Sequence, residues 1–246
     1  MALVLREMTS TYGRSPGGYI WAILEPVAGI ILLTAVFTAF MRDPPLGTSF
    51  PLFYATGMLP FTLFMSISGN LAQAINFSRP LLTYPSVTWV DALIARFILQ
   101  FLTGLLVAYL IFAGIMFLFP SDVLLDFTTI GLALVGVALL AVGVGTLNCF
   151  LFTQFPLWQR AWSILTRPLF IMSGVFYTYE TIPQPWRDDV VWYNPIIHMT
   201  GMMRRGFYFS YDADYISWVY VLTFAGVCGV IGLVFLSRYH RDLINI

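Results

Sequence analysis

Six apolar stretches constrain this chain more than any other feature. They run over Ile20–Phe40, Phe50–Ala74, Ala92–Phe119, Thr128–Phe152, Ala161–Tyr177 and Ile216–Leu236. Crossing a hydrocarbon core as a helix takes about 20 apolar residues, within a range of roughly 17–25. Backbone groups must pair internally in lipid, and the runs lack the alternation of barrel strands, so all-α spans follow. Charged residues make up 10% of the chain, far below the ~25% of a soluble domain. The fifth run is interrupted by Arg167-Pro168. Pro60 in the second predicts a kink, and Gly131, Gly136, Gly143 and Gly145 in the fourth predict a close helix contact.

An even number of spans puts both termini on one side. All twelve basic residues are arginine. With the ends inside, Arg6, Arg14, Arg79, Arg96, Arg160, Arg167, Arg238 and Arg241 are cytoplasmic, while Arg42, Arg187, Arg204 and Arg205 are outside. Eight against four favours cytoplasmic termini. The first apolar stretch carries Arg6 and Glu7 and lacks a small-residue cleavage site, so entry through the first span itself is expected. No repeat or low-complexity linker divides residues 1–246, which read as one domain.

Three stretches are neither spans nor tight turns. Over residues 1–16, Leu5, Met8 and Tyr12 fall on one helical face, which predicts a short amphipathic helix lying in the interface. Residues 76–91 are too rich in Leu, Tyr, Val and Trp for a solvated connection, so Leu81, Tyr84, Pro85 and Val87, between Arg79 and Asp91, are expected to meet either the membrane or a docked partner. Residues 180–212 hold Trp186, Trp192, Tyr193, Phe207, Tyr208, Phe209 and Tyr211. There Ile196, Met199, Met203 and Phe207 share a face opposite His198, Arg204 and Arg205, which predicts half-spanning or interfacial helices. These rings serve either as a headgroup belt or as contacts for cargo. Arg204 and Arg205 likewise either anchor at headgroups or attract anionic sugars.

Catalytic chemistry finds little support. A phosphate-binding P-loop needs a lysine, and the chain has none. There are two histidines, His198 and His240, without metal-ligand spacing, and Cys149 and Cys228 sit in apolar runs as small core residues. Zero formal net charge gives no footprint for nucleic acid. Ion-coupled transporters keep carboxylates at mid-membrane. Here Glu25 lies near the cytoplasmic mouth of the first span, and Asp91 and Arg96 bracket the start of the third, so Glu25 and Arg96 mark a cytoplasmic entrance.

GYIWAILEP at 18–26, RPLLTYPSVTWVDALIAR at 79–96 and YNPIIHMTGMMRRGFY at 193–208 together resemble, in order along the chain, the permeases of type 2 ABC exporters, and within them those for capsular polysaccharide; O-antigen and teichoic acid export permeases are also similar. The resemblance implies a homodimer with two copies of a cytoplasmic ATPase subunit, in the inner membrane, exporting a lipid-linked polysaccharide toward the periplasm, with a periplasmic or outer-membrane export component as a further partner. It implies no cofactor in this chain, ATP and magnesium being bound by the ATPase. It places the segments of Arg6 and Arg14 and of residues 76–91 against that subunit, and makes the pieces holding Trp186, Trp192, Tyr193, Arg204, Arg205, Phe207 and Tyr208 the outer gate. O-antigen, teichoic acid, a lipid or a drug stand as alternative cargoes. A membrane-embedded transferase would need convergent His, Asp or Glu, and a passive channel would need no docking segment.

Overall fold

A computed structural model describes residues 18–82, 88–119 and 123–245 of the chain, and every regular element among them is helical. The expected interface helix with Arg6 and Arg14 lies outside the described residues, as do Tyr84, Pro85, Val87 and the side chains of Arg79 and Leu81.

Eight α-helices are described: α1 Gly18–Phe40, α2 Phe50–Ala72, α3 Ala74–Leu82, α4 Trp89–Leu118, α5 Phe127–Gln154, α6 Pro156–Met172, α7 Pro195–Phe207 and α8 Trp218–Asn245. Five of them, all but α3, α6 and α7, are long and apolar enough to cross a membrane. Helix α6 has 17 residues, begins five before the expected Ala161 and ends five before Tyr177. At 1.5 Å per residue it is about 26 Å long, a little short of a ~30 Å hydrocarbon core, and it carries Arg160 and Arg167.

Local chemistry sets the helix ends. Thr88 and Asp91 form a reciprocal capping box at the start of α4, the Asp91 carboxylate accepting from the Thr88 amide at 2.9 Å and the Thr88 hydroxyl accepting from the Asp91 amide at 3.2 Å. The Asp126 carboxylate accepts from the Thr128 and Thr129 amides to start α5. Pro156 opens α6 at a position whose amide has no helical partner. Residues 76–82, expected as part of the cytoplasmic connection after the second span, belong to a helix that starts at Ala74: Ala74, Ile75 and Ser78 form a buried stripe, and Phe77 points out.

Helix α5 is the hub, packed on α8, α2 and α7. Its glycines make this possible. A Cβ at Gly143 would run into the Ala225 backbone of α8, and one at Gly145 would come within 2.9 Å of the Leu71 Cβ on α2. Gly131, by contrast, faces open space. The α2 window is 72% buried and the α1 window 17%, so α2 lies at the centre and α1 at the edge. Helix α6 buries none of its residues and packs chiefly on α5.

Candidate functional site at the two ends of the bundle

The first end is organised by α7. Asn194 caps it, its Oδ1 accepting from the Ile196 amide at 3.0 Å, with Pro195 at the first helical position. The Asn194 amide also donates to the Ser173 hydroxyl at 3.1 Å, tying α7 to the end of α6. The helix was expected to be half-spanning or interfacial, with one apolar and one polar face. Instead both faces are buried, and of the three polar residues assigned to its outer face only Arg205 is exposed.

Most of the buried polar groups find partners, while the Thr200 hydroxyl and the Arg204 Nε have none among the described residues. Nδ1 of His198 accepts from the Ser217 amide at 3.2 Å, so its proton is on Nε2, which donates to the Trp192 carbonyl at 2.9 Å. Burial pushes His198 below its usual range and keeps it neutral. The fully buried guanidinium of Arg204 donates to the carbonyls of Tyr177 at 2.6 Å and Val175 at 3.3 Å, and its Cζ lies 4.3 Å from the centre of the Phe53 ring. Phe53 and Gly57 are one turn apart on α2, and a Cβ at Gly57 would come within 3.1 Å of the Arg204 Nη2. That glycine, on the same face as an aromatic, is the one sequence signal that pointed to a slot for a large side chain.

The aromatic residues of this end divide into two sets. Trp192 is partly buried and donates to the Tyr215 carbonyl at 3.2 Å, while Phe207 packs on Phe112 at 4.4 Å and Tyr208 is buried beside it. Trp186, Tyr193 and Phe209 stand out at 65, 61 and 84% exposure. Phe209 was not singled out among the sequence candidates. Beside Trp186, Asp188 accepts from Arg187, Tyr179 and Gln184, and these bonds, led by Arg187, hold its carboxyl below the usual range.

The second end lies around α3. Arg96, buried at the start of α4, donates to the Asn70 carbonyl at 3.1 Å and lies 5.0 Å from the centre of the Phe77 ring. It thus couples α4 to the junction of α2 and α3. Asp91, five residues before it, completes the capping box with Thr88. Glu25 lines a cleft of about 800 Å³ between α1, α2 and α4, with Ser66, Asn70, Gln100 and Thr103 on its walls. Arg96 is behind that cleft, so the two expected entrance residues share this end without meeting. Among the described residues, no group of three or more His, Cys, Asp or Glu could hold a metal ion.

A bundle of apolar helices with a short, largely buried helix before the last long one is the architecture these contacts define. A family model described as ABC-2 type transporter matches residues 1–208. The chain belongs to that family. As an ABC-2 chain it is the permease component of a transporter and not itself catalytic. It is similar to the polysialic acid transport protein KpsM of Escherichia coli, at 30% identity over 94% of this chain and 90% of that protein. It is 25% identical to the capsule polysaccharide export inner-membrane protein CtrC of Neisseria meningitidis serogroup A, over 98% of this chain and 91% of that one. The O-antigen export system permease protein RfbA of Myxococcus xanthus matches at 35% over 83 residues, 34% of this chain and 31% of that protein.

Proposed function

We propose that this ABC-2 permease moves a capsular-type polysaccharide, carried on a lipid, across the inner membrane toward the periplasm, and that a separate ATPase subunit supplies the energy. The observation that carries the reading is the likeness to KpsM, which runs nearly end to end through both chains. O-antigen export is the second reading, favoured by the shorter match to RfbA.

The assembly follows from the surface the monomer leaves uncovered. Ile164, Leu165 and Ile171 are exposed on α6, which has no fully buried residue within its own chain. A second copy covers this face in a homodimer, and α6 becomes the sixth span. Six spans return both ends to the cytoplasm, the side the arginine distribution favours. The α3 end then meets two ATPase subunits, which hold ATP and magnesium. The N-terminal segment with Arg6 and Arg14 contributes to that contact, with Arg79, Leu81, Tyr84, Pro85, Val87 and the exposed Phe77. The α7 end faces the periplasm, where a further export component takes over the polymer. Trp186, Tyr193 and Phe209 offer ring faces to it, because sugar C–H faces stack on aromatics.

The test is a deletion of the gene in its native host, with an affinity-tagged copy restored. Surface polysaccharide should vanish and return, and an ATPase subunit should elute with the tagged chain. Polysaccharide that persists through the deletion, or ATP hydrolysis by the chain purified free of other subunits, would sink the reading.

A further inference from the structure

Two opposite charges stand on open faces of the bundle. Glu25 on α1 and Arg167 on α6 are both exposed, and neither makes a hydrogen bond or ion pair with another described residue. Their surroundings are apolar. Trp21 and Leu32 lie on the same stripe of α1 as Glu25, each 62% exposed, and Ile164 and Ile171 flank Arg167 on α6. Ionisable side chains inside membrane spans are costly, and as a rule they pair with one another.

Helix α2 serves as a ruler for their depth. A Cβ at Gly29 of α1 would meet the Met58 side chain, and the Phe37 ring lies 5.3 Å from that of Tyr54, so α1 and α2 are antiparallel. Counting equal steps along both helices puts Glu25 level with Thr62 from the first contact and with Ser66 from the second. Both of these residues line the cleft beside Glu25. On α6, Phe170 packs on Phe61 at 5.0 Å, and a Cβ at Gly57 would come within 3.0 Å of the Val175 Cα, so α6 is also antiparallel to α2. The same count from Phe170 puts Arg167 level with Phe64. Glu25 and Arg167 therefore share one depth to within about 3 Å, at 1.5 Å per residue. Arg160, seven residues earlier, stands ~10 Å away from that level.

The two helices also flank the same side of α2. Phe37 near the end of α1 lies 6.0 Å from Phe176, just beyond α6. A two-fold axis along the membrane normal leaves every residue at its own depth, and the interface it makes is self-complementary. Turning a second copy against this side brings its α6 to α1, with opposite charges at one level.

We propose that Glu25 of each copy pairs with Arg167 of the other, so that two ion pairs at membrane depth set the register of the homodimer. The pairing rests on the dimer of the proposed function and names the residues that hold it. Each guanidinium then closes the mouth of its neighbour's cleft, where Glu25 stands.

The complete transporter is expressed with two differently tagged copies of the permease, Cys149 and Cys228 being replaced by alanine in both. One copy carries Glu25→Cys and the other Arg167→Cys, and membranes are treated with a short bis-maleimide. A product bearing both tags should form, at least about fivefold above that from Glu25→Cys with Arg160→Cys, which is off in depth. In a second measurement, Glu25→Arg and Arg167→Glu should each weaken the dimer about 100-fold or more, because like charges then face each other away from water. Both substitutions in one chain should restore it to within about tenfold of wild type, since opposite charges meet again. No product with both tags, or as much with Arg160→Cys, overturns the pairing. So does a double swap that stays weak, which would give Glu25 to an arginine of its own chain such as Arg14. Should a swapped variant fail to insert, the cross-linking comparison decides alone. A chain that is monomeric in the membrane overturns the pairing and the homodimer together, whereas a dimer without the cross-link overturns the pairing alone. Polysaccharide independent of the gene sinks the export reading and leaves the cross-link result standing.

Discussion

At the α7 end, Arg204, His198 and Asn194 each reach partners within the chain, whereas at the α3 end Gln100 and Thr103 line a cleft with hydrogen bonds to spare. Both ends carry polar residues among apolar helices, and from composition they look alike. The difference is whether a backbone carbonyl or amide from another element has been brought to each side chain. Where it has, the polar group is structural, and removing it should cost stability. Where it has not, the group is free for a ligand, and removing it should cost function while the fold persists.

The largest effect should come from Arg204. Replacing it with Met keeps most of the volume but strips the donors from the buried Val175 carbonyl and the half-buried Tyr177 carbonyl, a buried one being worth about 1–3 kcal/mol when left unpaired. Arg204→Met should lose about 2–5 kcal/mol on that basis, seen as low folded yield and early thermal unfolding in detergent. Wild-type yield and melting with lost polysaccharide would instead make Arg204 a cargo contact and erase the contrast between the ends.

Asn194→Ala should cost less, about 1 kcal/mol for the cap and a similar amount for the bond to Ser173. Asn194→Asp keeps the cap oxygen and loses the donor, so it should recover about half of that loss by thermal unfolding. Equal melting of the two variants would show that the cap carries nothing.

His198 tests the same end through pH. Its pKa is lowered by burial, so the unfolded chain takes up a proton before the folded one does. Stability is then full above about pH 6.5 and falls as the pH drops from there toward the lower folded value, by at most about 1.4 kcal/mol per pH unit. Trp192, Tyr215 and Tyr220, the rings around it, carry no charge in this window. His198→Gln should flatten the melting temperature between pH 7.5 and 5.5; an unchanged slope would move the effect to another group.

The long helices were legible in the sequence because length and apolarity alone decide them, and four expected spans coincide closely with α1, α2, α4 and α5. The sixth run became α8, which continues past Leu236 to Asn245. The roles of the polar residues were not legible. Arg204 binds carbonyls 27 and 29 residues away, and a carbonyl has no signature in sequence. The 3.6-residue pattern of α7 was read correctly as two faces, yet both faces are covered, that of Met199 by α5 and that of Arg204 and His198 by α2 and the segment before α8. Helix α3 was missed because nine apolar and polar residues after Gln73 look like any connection until Ala74, Ile75 and Ser78 are seen to share a buried stripe. Glu25 and Arg96 were singled out for their charge alone, and only the fold separates the one that lines the cleft from the one that bolts α4 behind it.

The smallest effect on stability should come from the three rings that the α7 end leaves in the open. Trp186, Tyr193 and Phe209 bury little, so their replacement by Ala should change stability by no more than about 0.5 kcal/mol each, as for surface positions generally. If they meet the polymer, each lost stack is worth roughly 0.5–1.5 kcal/mol, and the triple variant should lower surface polysaccharide while protein level, copurifying ATPase and melting stay near wild type. Trp192→Ala and Phe207→Ala are the controls, because these rings pack inside the chain and should lower yield and polysaccharide together. Quantifying membrane protein and surface polysaccharide in the same cells separates the two patterns. A triple variant that loses protein in proportion to polysaccharide would make the exposed rings a headgroup belt, and the α7 end would then be scaffold throughout.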